Sequence, residues 1–191
     1  ETNHPVIGVD VARYGEDETV IGARWGHHHE LVESFRRKAT TYTTGRVVQH
    51  ARRLESRDVR VDGDGLGAGV VDGLREQGIS VDELRNGMPA SDPVNYLNAR
   101  SEWWWQIRQS FEAREPDIPA DDLLAAQLTS LHWGVDSKGR TYVESKDDMR
   151  KRGVRSPDRA EGIVLYTHAR SRKVAPVVAP VATPQASYVN P

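Results

Sequence analysis

The stretch Pro5 to Ala12 (PVIGVDVA) reads as the most apolar strand of the chain, yet it carries a carboxylate, Asp10, between Val9 and Val11. Burying an unpaired carboxylate is costly, so the fold must bring Asp10 a partner, either a backbone turn at the strand end or a cation. Asp62 repeats the pattern, ending the strand Val59-Arg60-Val61 just before a glycine-rich loop over Asp62 to Gly69. The segments around these strands alternate in period. Glu18 to Gly26 reads as a hairpin partner of the first strand across the polar Arg13 to Asp17 turn, and Glu30 to Lys38 as a third strand. Thr43 to Leu54 places Val47, Val48, Ala51 and Leu54 at helical spacing, and Val70 to Gln77 forms a helix closed by Gly78. This alternation predicts an α/β fold with a mixed central sheet and helices on both faces.

Farther along, Asn98 to Arg114 is helical, with Trp104, Ile107 or Arg108, and Phe111 along one stripe. Ala120 to Leu131 supplies another helix, and Leu131 to Glu144 a hairpin turning at Ser137-Lys138-Gly139. Ser156-Pro157 starts a last helix running to about Arg170, since Ser caps well and Pro is tolerated in the first turn. The 191 residues fit one domain, taken as residues 1–173. Residues 174–191, rich in Pro, Ala and Val and without a charge, read as an extended, flexible tail.

Composition then removes several function classes. With no cysteine there is no disulfide scaffold, cysteine-ligated zinc, iron–sulfur cluster or thiol nucleophile, so any metal takes oxygen or imidazole ligands. No apolar run approaches the ~18 to 20 residues that cross a bilayer, and Glu1 to Pro5 shows no secretory signal. A soluble intracellular protein, or a piece of one, is expected. The formal charge of −2 offers no global attraction for nucleic acid. It is unevenly spread, however: from Lys146 to Lys173 nine basic residues face four acidic ones, and this stretch surrounds a third notable carboxylate, Asp158.

Asp158 lies in the first turn of the last helix, where the helix dipole alone would favour an anion. Each acid thus has a bland reading by itself. Together Asp10, Asp62 and Asp158 suggest an oxygen-only site for hard divalent cations, two of which activate water and stabilise the leaving oxygen in phosphodiester cleavage without a side-chain nucleophile.

Four strings carry a family resemblance: GVDVARYGEDET (Gly8 to Thr19), VDGDGLGAGVVDGL (Val61 to Leu74), NARSEWWWQIR (Asn98 to Arg108) and ESKDDMRKRGVRSPDRAEG (Glu144 to Gly162). In this order, over about residues 5 to 170, the chain resembles the C-terminal nuclease domain of bacteriophage terminase large subunits. The resemblance implies an RNase H-like fold and an endonuclease that cuts concatemeric double-stranded viral DNA during genome packaging, using two divalent cations, Mg²⁺ or Mn²⁺. Asp10, Asp62 and Asp158 match the family's acids and would be both catalytic residues and metal ligands. Asp64 and Glu161 are secondary metal candidates, and Lys146, Arg150, Lys151, Arg152 and Arg155 are candidate DNA contacts. Implied partners are double-stranded DNA, the terminase ATPase domain, the small terminase subunit and the portal, with no membrane. The implied location is the cytoplasm of the infected bacterial host. The family's large subunit carries an ATPase with a Walker A loop, and no GxxxxGK[ST] string occurs here, so the chain resembles the nuclease half alone.

Other signals point elsewhere. Gly63 to Ala68 satisfies G-x-G-x-x-A between a strand and a helix, the basis of a rival reading as a dinucleotide-binding, Rossmann-like oxidoreductase domain. Asp62 and Asp64 on that loop would repel a pyrophosphate. A third reading is a non-catalytic domain that binds DNA or a packaging partner. His27-His28-His29 reads as a solvated turn, Trp103 to Trp105 as core or interface, and Arg36-Arg37-Lys38 and Arg52-Arg53 as solvated faces or flanks of a DNA groove. Asp17 orders the first hairpin turn, and a solvated surface position is the bland reading of Lys146.

Overall fold

The structure, a computed structural model, describes residues 4–12 and 17–169. The turn centred on residues 13–16 and the tail from Val174 lie outside the described residues.

Five strands form one mixed sheet: β1 (Val6–Asp10), β2 (Thr19–Trp25), β3 (His28–Phe35), β4 (Asp58–Asp62) and β5 (Val81–Leu84), in the order β3-β2-β1-β4-β5. The first three run antiparallel as a meander, while β4 and β5 lie parallel to β1. Parallel strands need crossovers, supplied here by α1 (Thr40–Arg53) between β3 and β4 and α2 (Gly67–Glu76) between β4 and β5. The expected mixed sheet with helices on both faces is what the chain forms. Strand β5 was not anticipated: VDEL is four residues with two acids, a weak strand by composition that pairs at the open edge of β4.

The period of two along each strand decides which face receives which side chain. Ile7, Val9, Ile21, Val59 and Val61 point to one face and pack with Val47, Val70 and Leu74 of α1 and α2. The alternate positions Gly8, Asp10, Gly22, Arg60 and Asp62 therefore share the other face. Gly8 and Gly22 are register partners on β1 and β2, and their missing side chains leave a flat patch. A Cβ at Gly8 would lie 2.6 Å from the Gly162 carbonyl oxygen, and one at Gly22 2.5 Å from the Ile163 Cα. The closing helix (residues 158–168) thus lies directly on the sheet, backbone against backbone. Val20 and Leu84 flank it, and α3 (Ala99–Glu112) and α4 (Asp122–Thr129) cover it with Trp103, Trp104, Ile107 and Leu124.

The closing helix begins after Ser156-Pro157 as expected, although Gln127 caps it: its side-chain oxygen accepts from the Arg159 and Ala160 backbone N–H groups at 2.9 and 3.1 Å. Its middle turn, Ala160–Leu165, is π-helical, and Tyr166–His168 returns to α geometry. At its far end Arg60, 1% exposed, donates to the carbonyls of Thr167 and Ala169 at 2.9 and 2.7 Å and is held by the Asp58 carboxylate.

The hairpin expected over Leu131 to Glu144 is present as β6 (Trp133–Val135) and β7 (Thr141–Val143), with Gly139 at φ +80° in the turn. The charge-rich stretch after it forms the short helix α5 (Lys146–Lys151). Ser145 caps it by accepting from the Asp148 N–H, Asp147 and Asp148 occupy its first turn, and Arg150 and Lys151 its last. The histidine run also needs correction. His27 is in the turn and His28 is exposed, but His29 is fully buried on β3, stacked on His168 with ring centroids 5.1 Å apart. Its pKa falls to about 4, chiefly through burial, so it is neutral there. Trp103 and Trp104 are core residues and Trp105 is half-buried, while Arg36, Arg37, Lys38, Arg52 and Arg53 are exposed.

Candidate active site

Asp10 and Asp62 end the parallel neighbours β1 and β4 one step beyond the Val9–Val61 register pair, on the face that the closing helix covers. That helix brings Asp158 and Glu161 to the same place. The four carboxylates are buried, with exposures of 2%, 5%, 7% and 0% for Asp10, Asp62, Asp158 and Glu161. The three acids singled out in the sequence thus converge, and Glu161 joins them.

Each carboxylate is held by identifiable donors. Asp62 accepts from the Tyr166 hydroxyl at 3.0 Å and from the Asp64 backbone N–H at 3.0 Å. Asp158 accepts from the Glu18 backbone N–H at 2.8 Å, which ties the closing helix to the start of β2. Glu161 lies between Arg100, at 3.3 Å, and the Lys146 ammonium, at 2.5 Å, and that same ammonium is 3.7 Å from Asp10. Asp64 is exposed; its carboxylate is turned to Asn86, accepting from that residue's backbone and side-chain nitrogens at 3.1 and 3.2 Å. Asn86 also donates to the Tyr166 hydroxyl, joining the Asp64 loop to the Asp62 carboxylate.

The electrostatics follow from four acids facing two cations, Lys146 and Arg100. Burial raises the Asp10 pKa well above the usual aspartate value, with Glu161, Asp158 and Asp62 adding to the rise and Lys146 opposing it. Burial likewise pushes Asp62 up to about 6, against the pull of Lys146 and the Asp64 N–H, and raises Asp158. Glu161 differs: burial would raise it, but Lys146 and then Arg100 hold it below the ordinary range. Lys146 is correspondingly held well above the ordinary lysine value by Asp10, Glu161 and Asp62 despite its own burial penalty. It is no free surface lysine: from the first residue of α5 its ammonium is engaged by Asp10 and Glu161.

A polar cleft of about 630 Å³ opens beside Lys146, lined by Asp64, Asn86, Arg100, His132 and Tyr142 among others. Of the other basic candidates, Arg150 pairs with Asp147 and Lys151 with Asp148 on exposed surface, where such pairs exchange readily for a phosphate, while Arg152 is held by the largely buried Glu144 carboxylate. Arg155 is exposed on the segment leading into the closing helix.

The acid-rich donor set fits the chemistry of a hard divalent cation, which takes oxygen ligands and would balance the negative charge of these buried carboxylates. As they stand, no three acidic or histidine side chains among the described residues are spaced to hold a metal ion, and the Lys146 ammonium sits against Asp10 and Glu161 instead. Sequence reasoning did not single out Arg100, Tyr166 or Asn86, whose roles depend on contacts across the fold. The glycine-rich loop lacks the context a dinucleotide site requires: it follows β4 rather than opening a doubly wound parallel sheet, and β1 to β3 form an antiparallel meander.

No family model and no curated protein sequence matches the chain. Solved structures do. The nuclease domain of the large terminase subunit gp2 of bacterial virus Sf6 aligns with a TM-score of 0.76 at 16% identity, over 88% of this chain and 89% of that one. The large terminase nuclease of thermophilic phage G20c with bound magnesium aligns at 0.65 and 15%, over 87% and 81%. A lysine-to-alanine variant of the Sf6 domain with manganese and β-thujaplicinol aligns at 0.71 and 15%, over 88% and 89%. The fold is therefore RNase H-like α/β, in the form seen in phage terminase nuclease domains. No helix among the described residues is long and apolar enough to cross a membrane.

Proposed function

We propose that this chain is the nuclease domain of a phage genome-packaging enzyme, an endodeoxyribonuclease that cuts concatemeric double-stranded DNA with the help of two Mg²⁺ or Mn²⁺ ions. The observation that carries this reading is the buried set Asp10, Asp62, Asp158 and Glu161 on one face of the sheet, with more carboxylate than Lys146 and Arg100 neutralise. Neighbours of the same fold with bound magnesium, manganese or cobalt support it. In this reading Asp10, Asp62 and Asp158 hold the ions and Glu161 holds Lys146 beside them. The ions supply an activated water and charge stabilisation at the scissile phosphate.

The chain's own groups do the rest. Tyr166 and the Asp64 N–H fix the Asp62 carboxylate, and the Glu18 N–H fixes Asp158, so the ligand oxygens are pre-positioned. Lys146, Arg150, Lys151, Arg152 and Arg155 line the approach for phosphates, with Lys146 nearest the acids. Nothing in the site reads base edges, so cutting has little sequence preference. The working context is the cytoplasm of an infected bacterium, with the packaging ATPase domain, the small terminase subunit and the portal as partners.

The test is plasmid cleavage. Supercoiled DNA incubated with the protein is nicked and linearised in Mn²⁺ or Mg²⁺ and left intact in chelator, and Asp10→Asn brings cutting to background while circular dichroism and melting show a folded chain. Full activity in Asp10→Asn, or retardation of DNA without any metal-dependent cutting by the unmodified chain, overturns the reading.

A further inference from the structure

An apolar concavity of the described surface lies away from the acids. A groove of about 550 Å³ runs between α3, α4 and the β6–β7 hairpin, walled by Trp104, Trp105, Phe111, Leu128 and Trp133. Trp105 and Trp133 meet edge to face with centroids 4.9 Å apart, and the Arg108 guanidinium lies 4.6 and 5.4 Å from the two ring centres. Trp133 is 54% exposed. So much preset aromatic surface marks a binding face rather than core left over. Aromatic-walled grooves suit one ligand class in particular, extended proline-rich segments, whose preformed backbone loses little entropy on docking.

The chain contains such a segment. Described residues end at Ala169, one residue past His168, which stacks on His29. The His29 N–H donates to the Asp117 carbonyl at 2.8 Å, and the next residue, Ile118, lines the groove. The sequence continues for 22 residues beyond Ala169. Basic Arg170, Arg172 and Lys173 come first, opposite in charge to Glu112, Glu115 and Asp117 on the loop at the groove's rim. Then the tetrapeptide Val-Ala-Pro-Val occurs twice in tandem (Val174 to Val181), followed by Thr183-Pro184, and no charge appears through Pro191. At ~3.1 Å per residue in polyproline form the segment outreaches the groove several times over.

We propose that the chain's own segment Val174 to Pro191 docks along the groove, its Pro and Val side chains on Trp105 and Trp133 and its basic leader against the Glu112–Asp117 loop. Tethering makes the effective concentration about millimolar, so modest contacts suffice. The groove shares His132, Trp133 and Val143 with the polar cleft beside Lys146, so a docked segment braces the hairpin that borders the candidate active site.

The absence of cysteine makes the test clean. Ala182→Cys in the full chain takes a single nitroxide, and NMR intensities are compared before and after its reduction. Docking predicts that the indole N–H signals of Trp105 and Trp133 lose most of their intensity while the methyls of Val70 and Leu74, on the opposite face, keep theirs. Adding Val177→Asp and Val181→Asp in the segment restores the indole signals. Weak, uniform broadening would mean the segment is undocked and overturns the proposal. A mixture of isotope-labelled chain without nitroxide and unlabelled chain with it shows no indole loss if docking is within one chain; loss there means that a second copy fills the groove, which also overturns it.

Discussion

The substitution Asp62→Asn separates two things the acid cluster does, because it should stabilise the metal-free fold and abolish its chemistry at once. The Asp62 pKa stands at about 6 against an ordinary value of 3.8. At about 1.36 kcal/mol per pH unit, holding this carboxylate ionised in the fold costs about 3 kcal/mol relative to the unfolded chain. Asparagine keeps the shape and removes the charge. It also puts an amide nitrogen where one of the two donors, the Tyr166 hydroxyl or the Asp64 N–H, now meets an oxygen, and losing that bond costs about 1 kcal/mol. The net gain is about 2 kcal/mol, or roughly 4–8 °C in Tm for a domain of this size.

The pH dependence carries the sign of the argument. An acid whose pKa is raised by folding binds more protons in the native state, so its contribution to stability is present below pH 3.8 and falls as pH rises to about 6. The advantage of the variant over the unmodified chain should therefore be small or negative at pH 4, grow between pH 4 and 6, and stay level above. Melting both proteins in chelator across pH 4 to 8 measures this difference directly. A second arm adds Mg²⁺ or Mn²⁺: the unmodified chain gains about 2.7 kcal/mol at a hundredfold excess over Kd, and the variant gains little. A variant that is less stable at every pH by a constant amount would refute the reasoning, since it would mean that Asp62 acts as a hydrogen-bond acceptor with no electrostatic strain.

Two further substitutions, one with a matched control, probe how the site is positioned. Gly22→Ala drives a Cβ to 2.5 Å from the Ile163 Cα and 2.6 Å from the Gly162 carbonyl oxygen, and neither backbone can swing aside. It should cost about 1–3 kcal/mol by urea denaturation and lower metal-dependent cutting, because Glu161 adjoins Gly162; Gly45→Ala, in α1 with open space around it, should be neutral or stabilising by about 1 kcal/mol. Arg60→Leu removes the buried guanidinium that binds the Thr167 and Ala169 carbonyls and the Asp58 carboxylate; Asp58 stays 41% exposed and Thr167 keeps Arg24, so the denaturation midpoint should drop by the equivalent of about 1–3 kcal/mol for the orphaned Ala169 carbonyl.

How legible the site was depended on whether a residue's role was local. Asp10 and Asp62 stand out because a carboxylate in an apolar strand violates the pattern of its immediate neighbours, and period-two alternation already puts Asp10 with Gly8 and Asp62 with Arg60. The pairing of β1 with β2, the helices α1 and α2, and the Ser137-Lys138-Gly139 hairpin were readable from equally local patterns, whereas the strand order and β5 were not. Lys146 carries no such anomaly: Glu144 to Arg152 alternates charges in any conformation, and only the Ser145 cap with acids in the first turn hinted at α5. Gly8 and Gly22 look like strand weaknesses until the closing helix lies across them. Arg100 and Tyr166 acquire their meaning from partners 44 to 104 residues away.

The same distinction explains the overall charge. A net −2 over the chain conceals a buried surplus, four carboxylates against Lys146 and Arg100, and the pKa values of Asp10, Asp62 and Asp158 are raised chiefly by that burial, with neighbouring acids adding to it and Lys146 opposing it. In the function proposed above, protons, the Lys146 ammonium and divalent cations compete for one electrostatic deficit. A chain built to hold its acids permanently would pair each with an arginine, as Arg60 is paired with Asp58. Leaving the deficit open stores cation affinity at the place where the sheet, the closing helix and α5 converge.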